Sequence, residues 1–167
     1  MSRGGGTRLR PGDVLSVETD GRKWHMCYIG RHASLGDTVW VSSQGRVLDA
    51  ALDCHDFTGD GYYVFYPATT AIRRKMVTRA GYCPEGMRMM PRLFRYGSPF
   101  VREGGPQIWR IAENAHVGTP FVIRDSLTVE EAEIPEAAIW NHEFLLDRLR
   151  IGWHPRHEAS GHSPEAV

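Results

Sequence analysis

The sequence predicts an α+β, β-rich domain in which a twisted, antiparallel, barrel-like sheet is covered by one C-terminal helix. Three observations lead to this prediction. Residues 12–31 have the pattern of a β-hairpin. Short runs of β-branched and aromatic residues follow, separated by Gly and Pro. A helical pattern comes only late in the chain.

The hairpin is the clearest local signal. Residues 15–18 alternate apolar and polar side chains, which is the period of a half-buried strand. Asp20-Gly21 tolerates positive φ at both positions, as a tight hairpin turn requires. On the return strand, one face carries three large side chains: Trp24, Met26 and Tyr28.

Other segments are shorter. Strands are predicted at residues 38–41, 46–48, 62–66, 92–95, 108–111 and 121–123. Residues 69–75 fit a helical turn or a strand equally well. Residues 81–105 are rich in Pro and Gly, which predicts mostly loop.

The C-terminal helix is predicted to follow a short capped turn. Thr128 and Glu131 have capping-box spacing, and Pro135 suits the first position of the main helix. On a helical wheel one face is largely apolar: Ile134, Ala138, Asn141, Leu145 and Leu149. The opposite arc is acidic: Glu136, Glu143 and Asp147.

Composition predicts a single domain at residues 9–153, with a disordered glycine-rich tail at 1–8 and a flexible tail at 154–167. The formal net charge is zero. Three cysteines without a C-x-x-C motif predict free thiols in a reducing compartment. No apolar run has the length of a signal peptide core or a membrane span, so a cytoplasmic protein without membrane contact is expected.

Several short motifs resemble the immunity protein 26 family of bacterial polymorphic toxin systems, from about residue 9 to residue 154. They are Gly12-Asp13-Val14, Asp20-Gly21-Arg22, Tyr28-Ile29-Gly30-Arg31, Trp109-Arg110-Ile111, Ser126-Leu127-Thr128, Ile134-Pro135 and the segment 148–153. The resemblance implies an antidote that neutralises a cognate toxin by direct contact.

Charge is unevenly distributed along the chain. Residues 73–102 hold eight basic residues against Glu85, whereas residues 125–147 hold seven acidic residues and no Lys or Arg. The two segments could neutralise each other in the fold. Alternatively the basic one could bind a nucleic-acid backbone, using Arg73, Arg74, Arg92 and Arg95.

The favoured hypothesis places the toxin on the acidic helix face. Glu136, Glu143 and Asp147 would steer a basic partner, and Trp140 at the edge of this stripe would serve as an anchor. Nucleic acid is the less favoured partner.

No complete catalytic or metal motif accompanies these features. Residues 56–61 resemble half of a calcium loop, but Pro67 stands where the loop needs a Glu. A catalytic site centred on His25, Cys27 or His55 is a third possibility. The prediction is a protein that is not an enzyme and has no cofactor.

Overall fold

An antiparallel hairpin begins the fold. The computed structural model describes residues 8–97, 108–113 and 119–159. In it, β1 (Asp13–Thr19) pairs with β2 (Arg22–His32). Asp20 and Gly21 have φ values of 50° and 69°, so the predicted turn is confirmed. Positive φ at both central residues gives the turn the twist of the flanking strands.

The hairpin forms the centre of a larger sheet. Its other members are β3 (Gly36–Ser42), β4 (Arg46–Val47), β5 (Gly61–Phe65) and β6 (Thr78–Tyr82). The antiparallel order is β5-β3-β2-β1-β6, and β4 also pairs with β2. Within the described residues, β5 and β6 do not pair with each other. The predicted α+β, β-rich class is therefore confirmed, but the sheet is open and not a closed barrel.

A second, three-stranded sheet lies beside the first. It consists of β7 (Phe94–Gly97), β8 (Trp109–Ala112) and β9 (Phe121–Arg124) in that order. Phe94 packs against Phe65 at the end of β5, with ring centroids 5.8 Å apart. This aromatic contact joins the two sheets.

Three α-helices complete the described elements: α1 (Ala68–Arg73), α2 (Val129–Ala132) and α3 (His142–Arg150). The same described residues include three 3₁₀ helices, at Cys54–Phe57, Pro84–Gly86 and Pro155–Glu158. The capping box predicted for α2 is confirmed, because the Glu131 N–H donates to Thr128 Oγ1 and the Thr128 N–H donates to Glu131 Oε2, both at 3.1 Å.

The main helix begins later than the sequence predicted. Pro135 does not start it; the cap is Asn141, whose Oδ1 accepts the Phe144 N–H at 2.8 Å. The intervening backbone is used by strands instead. Pro135 O accepts the Arg95 N–H at 3.0 Å, and the Trp140 N–H donates to Phe65 O at 2.8 Å. These bonds to neighbouring strands replace the intrahelical bonds that the predicted helix would have made.

The main sheet is covered on both faces, so β1 is not half-buried as predicted. The helix face lies under α1 and α3, and its core includes Trp24, Met26, Tyr62, Leu145 and Leu149. The loop face is covered by residues 48–60 and 83–91. Its smaller core contains Val14, Cys27, Ile29, Phe57 and Cys83.

The loop face contains a disulfide bond. Cys54 and Cys83 are bonded, with their Cα atoms 5.4 Å apart, whereas Cys27 is free and buried. The expectation of three free thiols is therefore wrong. Sequence spacing could not reveal this pair, because 29 residues separate the two cysteines and only folding brings them together.

The predicted tails are only partly described. Residues 1–7 and 160–167 lie outside the described residues. Residues 154–159, assigned to a flexible tail, instead contain the Pro155–Glu158 3₁₀ helix, with His154 and Ala159 buried. No helix in the described parts of the chain has the length and apolar character needed to cross a membrane.

Candidate site at the groove between α1 and α3

A groove runs along the outer side of α1. It consists of two adjoining cavities of about 300 and 320 Å³, which share Pro67 and Thr70 as a common wall. The first is lined by Tyr66, Pro67, Thr70, Ala71, Arg74, Met76, Asn141, His142 and Glu143. The second is lined by Arg31, Leu35, Gly36, Asp37, Pro67, Thr69, Thr70, Arg73 and Ile139. We call these two cavities together the α1–α3 groove.

Asp37 holds α1 in place below the groove. Its Oδ2 accepts the Thr69 N–H at 2.8 Å, and its Oδ1 accepts the Tyr28 hydroxyl at 3.4 Å. The first of these bonds satisfies a backbone N–H in the opening turn of α1, where no intrahelical acceptor exists. Asp37 is buried, so its carboxylate serves the fold more than the surface.

Tyr66 and His142 join the two helical elements at the floor of the first cavity. The Tyr66 hydroxyl and His142 Nδ1 are hydrogen-bonded at 2.8 Å. Burial raises the pKa of Tyr66. Burial also lowers the pKa of His142, and the nearby Glu143 carboxylate opposes this second shift. Both shifts favour the neutral forms. The pair therefore offers hydrogen bonding, not a charged acid or base, near neutral pH.

The groove is lined by exposed apolar side chains together with charged ones. Ile139 is 60% exposed and Met76 is 36% exposed. Arg73 and Arg74 follow one another at the end of α1, and Glu143 lies in the first turn of α3. Apolar surface within a charged rim is the common anatomy of a protein interface.

A larger groove of about 640 Å³ lies at the edge strand β6, where the single carboxylate already pairs with two of the three arginines in the lining. Asp13 pairs with Arg10 at 3.6 Å and with Arg79 at 3.3 Å. Arg10 also lies over the Tyr82 ring. We therefore regard the α1–α3 groove as the stronger candidate.

The acidic stripe predicted for partner binding does not form as one surface. Glu143 lines the groove, but Asp147 pairs with Arg150 at 2.8 Å. Glu136 precedes α3 and is half-buried, and this burial raises the pKa of its carboxyl group. The stripe fails because α3 begins at residue 142, so Glu136 is not on the helix.

Trp140 is not an exposed anchor. It is only 6% exposed, and its ring lies 4.9 Å from Phe144 and 5.3 Å from Trp153. It also contacts Tyr62. The side chain fills the core of the helix face, so its role is to support the groove from below.

The four predicted nucleic-acid contacts also separate. Arg73 and Arg74 are exposed on α1, and Arg92 is exposed in the segment before β7. Arg95 is 1% exposed; it donates to Glu158 at 2.5 Å and to Ile134 O at 2.8 Å, and lies over Trp109. A buried guanidinium with these partners cannot reach a phosphate backbone. Arg102, in the same basic segment, lies outside the described residues.

The candidate catalytic residues do not share an accessible surface. His25 and Cys27 are buried on the loop face, and burial raises the pKa of Cys27 to about 11. Burial lowers the pKa of His25, with the Asp56 carboxylate opposing. Such a thiol is a poor nucleophile because little thiolate exists at neutral pH. His55 is exposed on the 3₁₀ helix Cys54–Phe57.

Sequence reasoning missed most of the groove. It did not single out Arg31, Tyr66, Ile139 or His142, which come from four separate elements or loops. The sequence does indicate one part of the groove. Asn141 is a residue type that is strongly preferred at helix N-caps, and a helix capped there has His142 and Glu143 in its first turn. Nothing local links Tyr66 to His142.

Comparison with known proteins found no matching family model, no similar curated protein and no similar solved structure. The resemblance to the immunity protein 26 family thus stays a prediction.

Proposed function

We propose that this protein is an immunity-type inhibitor that binds a bacterial toxin domain by direct contact at the α1–α3 groove. The observation that carries the proposal is the groove itself, with exposed Ile139 and Met76 beside charged side chains. A concave surface lined by apolar side chains with a few polar groups is the usual form of a binding site.

The burial of His25 and Cys27 supports binding over catalysis. A catalytic site at His25 and Cys27 requires both side chains to contact a substrate. Both are at most 2% exposed, so a substrate cannot reach them in this structure. Inhibition by occupancy needs only a stable complementary surface. The hydrogen bonds of the buried Asp37 and Tyr66 side chains hold such a surface in place before a partner arrives.

Thr70 allows a direct test, because it lines both cavities. Thr70→Trp should fill the groove. The candidate toxins are the effector domains sought among the products of the neighbouring genes. We expect Thr70→Trp to abolish protection when the protein is co-expressed with the one that the wild type neutralises. The matched control is Ala51→Trp, at an exposed position in the segment that covers the loop face, which should protect like the wild type. Melting curves verify that both variants fold.

Two outcomes would overturn the proposal. If the wild-type protein neither binds the toxin domain nor protects against it, the immunity function is wrong. If Thr70→Trp protects fully, the toxin is bound elsewhere. A change in the mass of the toxin after incubation would instead identify an enzyme.

The compartment belongs to the same proposal. The sequence predicted a cytoplasmic protein partly because its three cysteines were expected to be free thiols. The Cys54–Cys83 disulfide removes that argument, since disulfides persist mainly in oxidising compartments. Cytoplasmic action stays a prediction. The test is to express the protein either in the cytoplasm or with an export signal, and to compare how well each form protects against the toxin.

A further inference from the structure

Three of the seven acidic residues in segment 125–147 are paired with arginines in the fold. Glu131 pairs with Arg124 at 2.6 Å, and Asp147 with Arg150 at 2.8 Å. Glu133 lies 3.7 Å from Arg156. These three ion pairs neutralise part of the acidic charge that the composition of this segment predicts.

The cations around the α1–α3 groove are in the opposite situation. Among the described residues, no carboxylate lies within ion-pair distance of Arg31, Arg73 or Arg74. Two acidic residues also line the groove. Asp37 is buried and its oxygens accept bonds from the fold, whereas Glu143 is exposed on α3. The outward-facing charge of the groove is therefore predominantly positive.

The apolar lining distinguishes between two kinds of anionic partner. Single-stranded nucleic acid is commonly held by exposed aromatic rings on which bases stack. Two of the residues that line the groove have aromatic rings, Tyr66 and His142. Tyr66 is 1% exposed and His142 is half-buried, so neither offers an exposed ring for base stacking. Exposed Ile139 and Met76 fit an aliphatic or aromatic protein side chain instead.

We propose that the groove binds an acidic protein segment that carries an apolar anchor. The inference rests on the proposed function and names the chemistry of its partner. Carboxylates of the partner would meet Arg31, Arg73 and Arg74, while its apolar side chain would cover Ile139 or Met76. Complementary charge would speed the encounter, and the apolar contact would slow release.

A peptide experiment tests this chemistry without the toxin. The probe is a short fluorescent peptide rich in glutamate with one central phenylalanine. Its counterparts carry glutamine in place of glutamate, or serine in place of phenylalanine. Fluorescence anisotropy should show the first peptide binding most tightly, with an affinity that falls as salt is added. A fluorescent oligonucleotide of similar charge should bind more weakly than the peptide.

Charge reversal at the groove provides the matched variants. Combined Arg31→Glu, Arg73→Glu and Arg74→Glu should weaken peptide binding by at least about tenfold, because like charges then face each other. Arg22→Glu and Arg92→Glu, at exposed sites that do not line the groove, should leave the affinity within about twofold. Unchanged melting temperatures would show that the reversals act on binding.

Three results would overturn the inference. Equal binding of the glutamine peptide, or no binding of either peptide, rejects an acidic partner. Tighter binding of the oligonucleotide indicates nucleic acid. Loss of toxin protection in Thr70→Trp together with normal toxin binding by the charge-reversed protein would reject the acidic partner while leaving the immunity function intact.

Discussion

The two faces of the main sheet are stabilised in different ways. The helix face is covered by a large cluster of aromatic and aliphatic side chains, with Trp140, Tyr62 and Trp153 in mutual contact. The loop face has a smaller apolar core under irregular chain. There the cover is cross-linked by the Cys54–Cys83 bond and by the ion pair of Arg46 with Asp56.

The loop face also depends on close backbone packing. A Cβ at Gly86 would lie 2.7 Å from Cys27 Sγ and 3.2 Å from Phe57, so only glycine permits this approach. Arg88 donates to Phe57 O and lies over the Trp40 ring, which ties the segment 83–91 to the 3₁₀ helix below it. Where loops cover a sheet, specific cross-links replace the contacts that a helix would supply.

This comparison separates support from function. The helix face carries the α1–α3 groove on its outer side, and the large core beneath keeps that surface rigid. The loop face encloses its polar and thiol groups. Substitutions on the two faces should therefore destabilise the protein by different mechanisms.

The largest effect is expected from the core of the helix face. Trp140→Ala should lower the free energy of unfolding by roughly 3–5 kcal/mol, since it leaves a cavity among packed rings. Phe121→Ala, at a ring that is 49% exposed, is the control and should cost much less. Urea unfolding monitored by circular dichroism measures both. A fully stable Trp140→Ala protein would contradict the burial of this side chain.

The next effect concerns the disulfide on the loop face. Cys54→Ala with Cys83→Ala should reduce stability by roughly 3 kcal/mol, because the bond restricts the unfolded chain across a separation of 29 residues. Cys27→Ala is the comparison, as it removes a buried free thiol without removing the bond. Thiol titration of the unfolded wild type, with and without reductant, should find one free thiol and then three. Three free thiols without reductant would disprove the bond.

A smaller effect is expected from pH at the loop face. Burial lowers the pKa of His25, partly opposed by Asp56 and assisted by Lys23 and Arg46. The unfolded state therefore binds a proton near the ordinary pKa of about 6.5 while the folded state does not, and stability falls as pH decreases below that value. His142 and His154 are shifted in the same direction.

His25→Gln should make this decline shallower, because one of the three histidines with lowered pKa is then absent. Urea unfolding at several values between about pH 8 and pH 5 gives the slope directly. His55→Gln, at an exposed position, is the control. A slope that is steeper in His25→Gln than in wild type would contradict a neutral His25 in the folded state.

The smallest effect is expected at the surface acids. Glu143→Gln and Asp147→Asn should each change stability by less than about 0.5 kcal/mol, since exposed ion pairs contribute little. Their effects on binding should differ. Glu143 lines the α1–α3 groove and Asp147 does not, so we expect only Glu143→Gln to alter the association rate with the toxin domain. Equal changes from both variants would place the interface on α3 as a whole.

Local patterns in the sequence determined several elements correctly. The alternation around Asp20-Gly21 predicted the hairpin, and the Thr128–Glu131 spacing predicted the cap of α2. These signals succeed because turn geometry and capping involve residues a few positions apart. The strand at residues 62–66 was also found, within one residue, from its β-branched and aromatic run.

Only the tertiary structure decided the rest, because it depends on distant partners. Pro135 can start a helix in isolation, but Arg95 binds its carbonyl and keeps the segment extended. Likewise, residues 125–147 hold seven acidic side chains, but Arg124, Arg150 and Arg156 pair with three of them in the fold. The groove beside α1 is positively charged because its arginines have no ion-pair partner among the described residues. Ion pairs form between residues that are distant in the sequence, so local sequence patterns do not predict them.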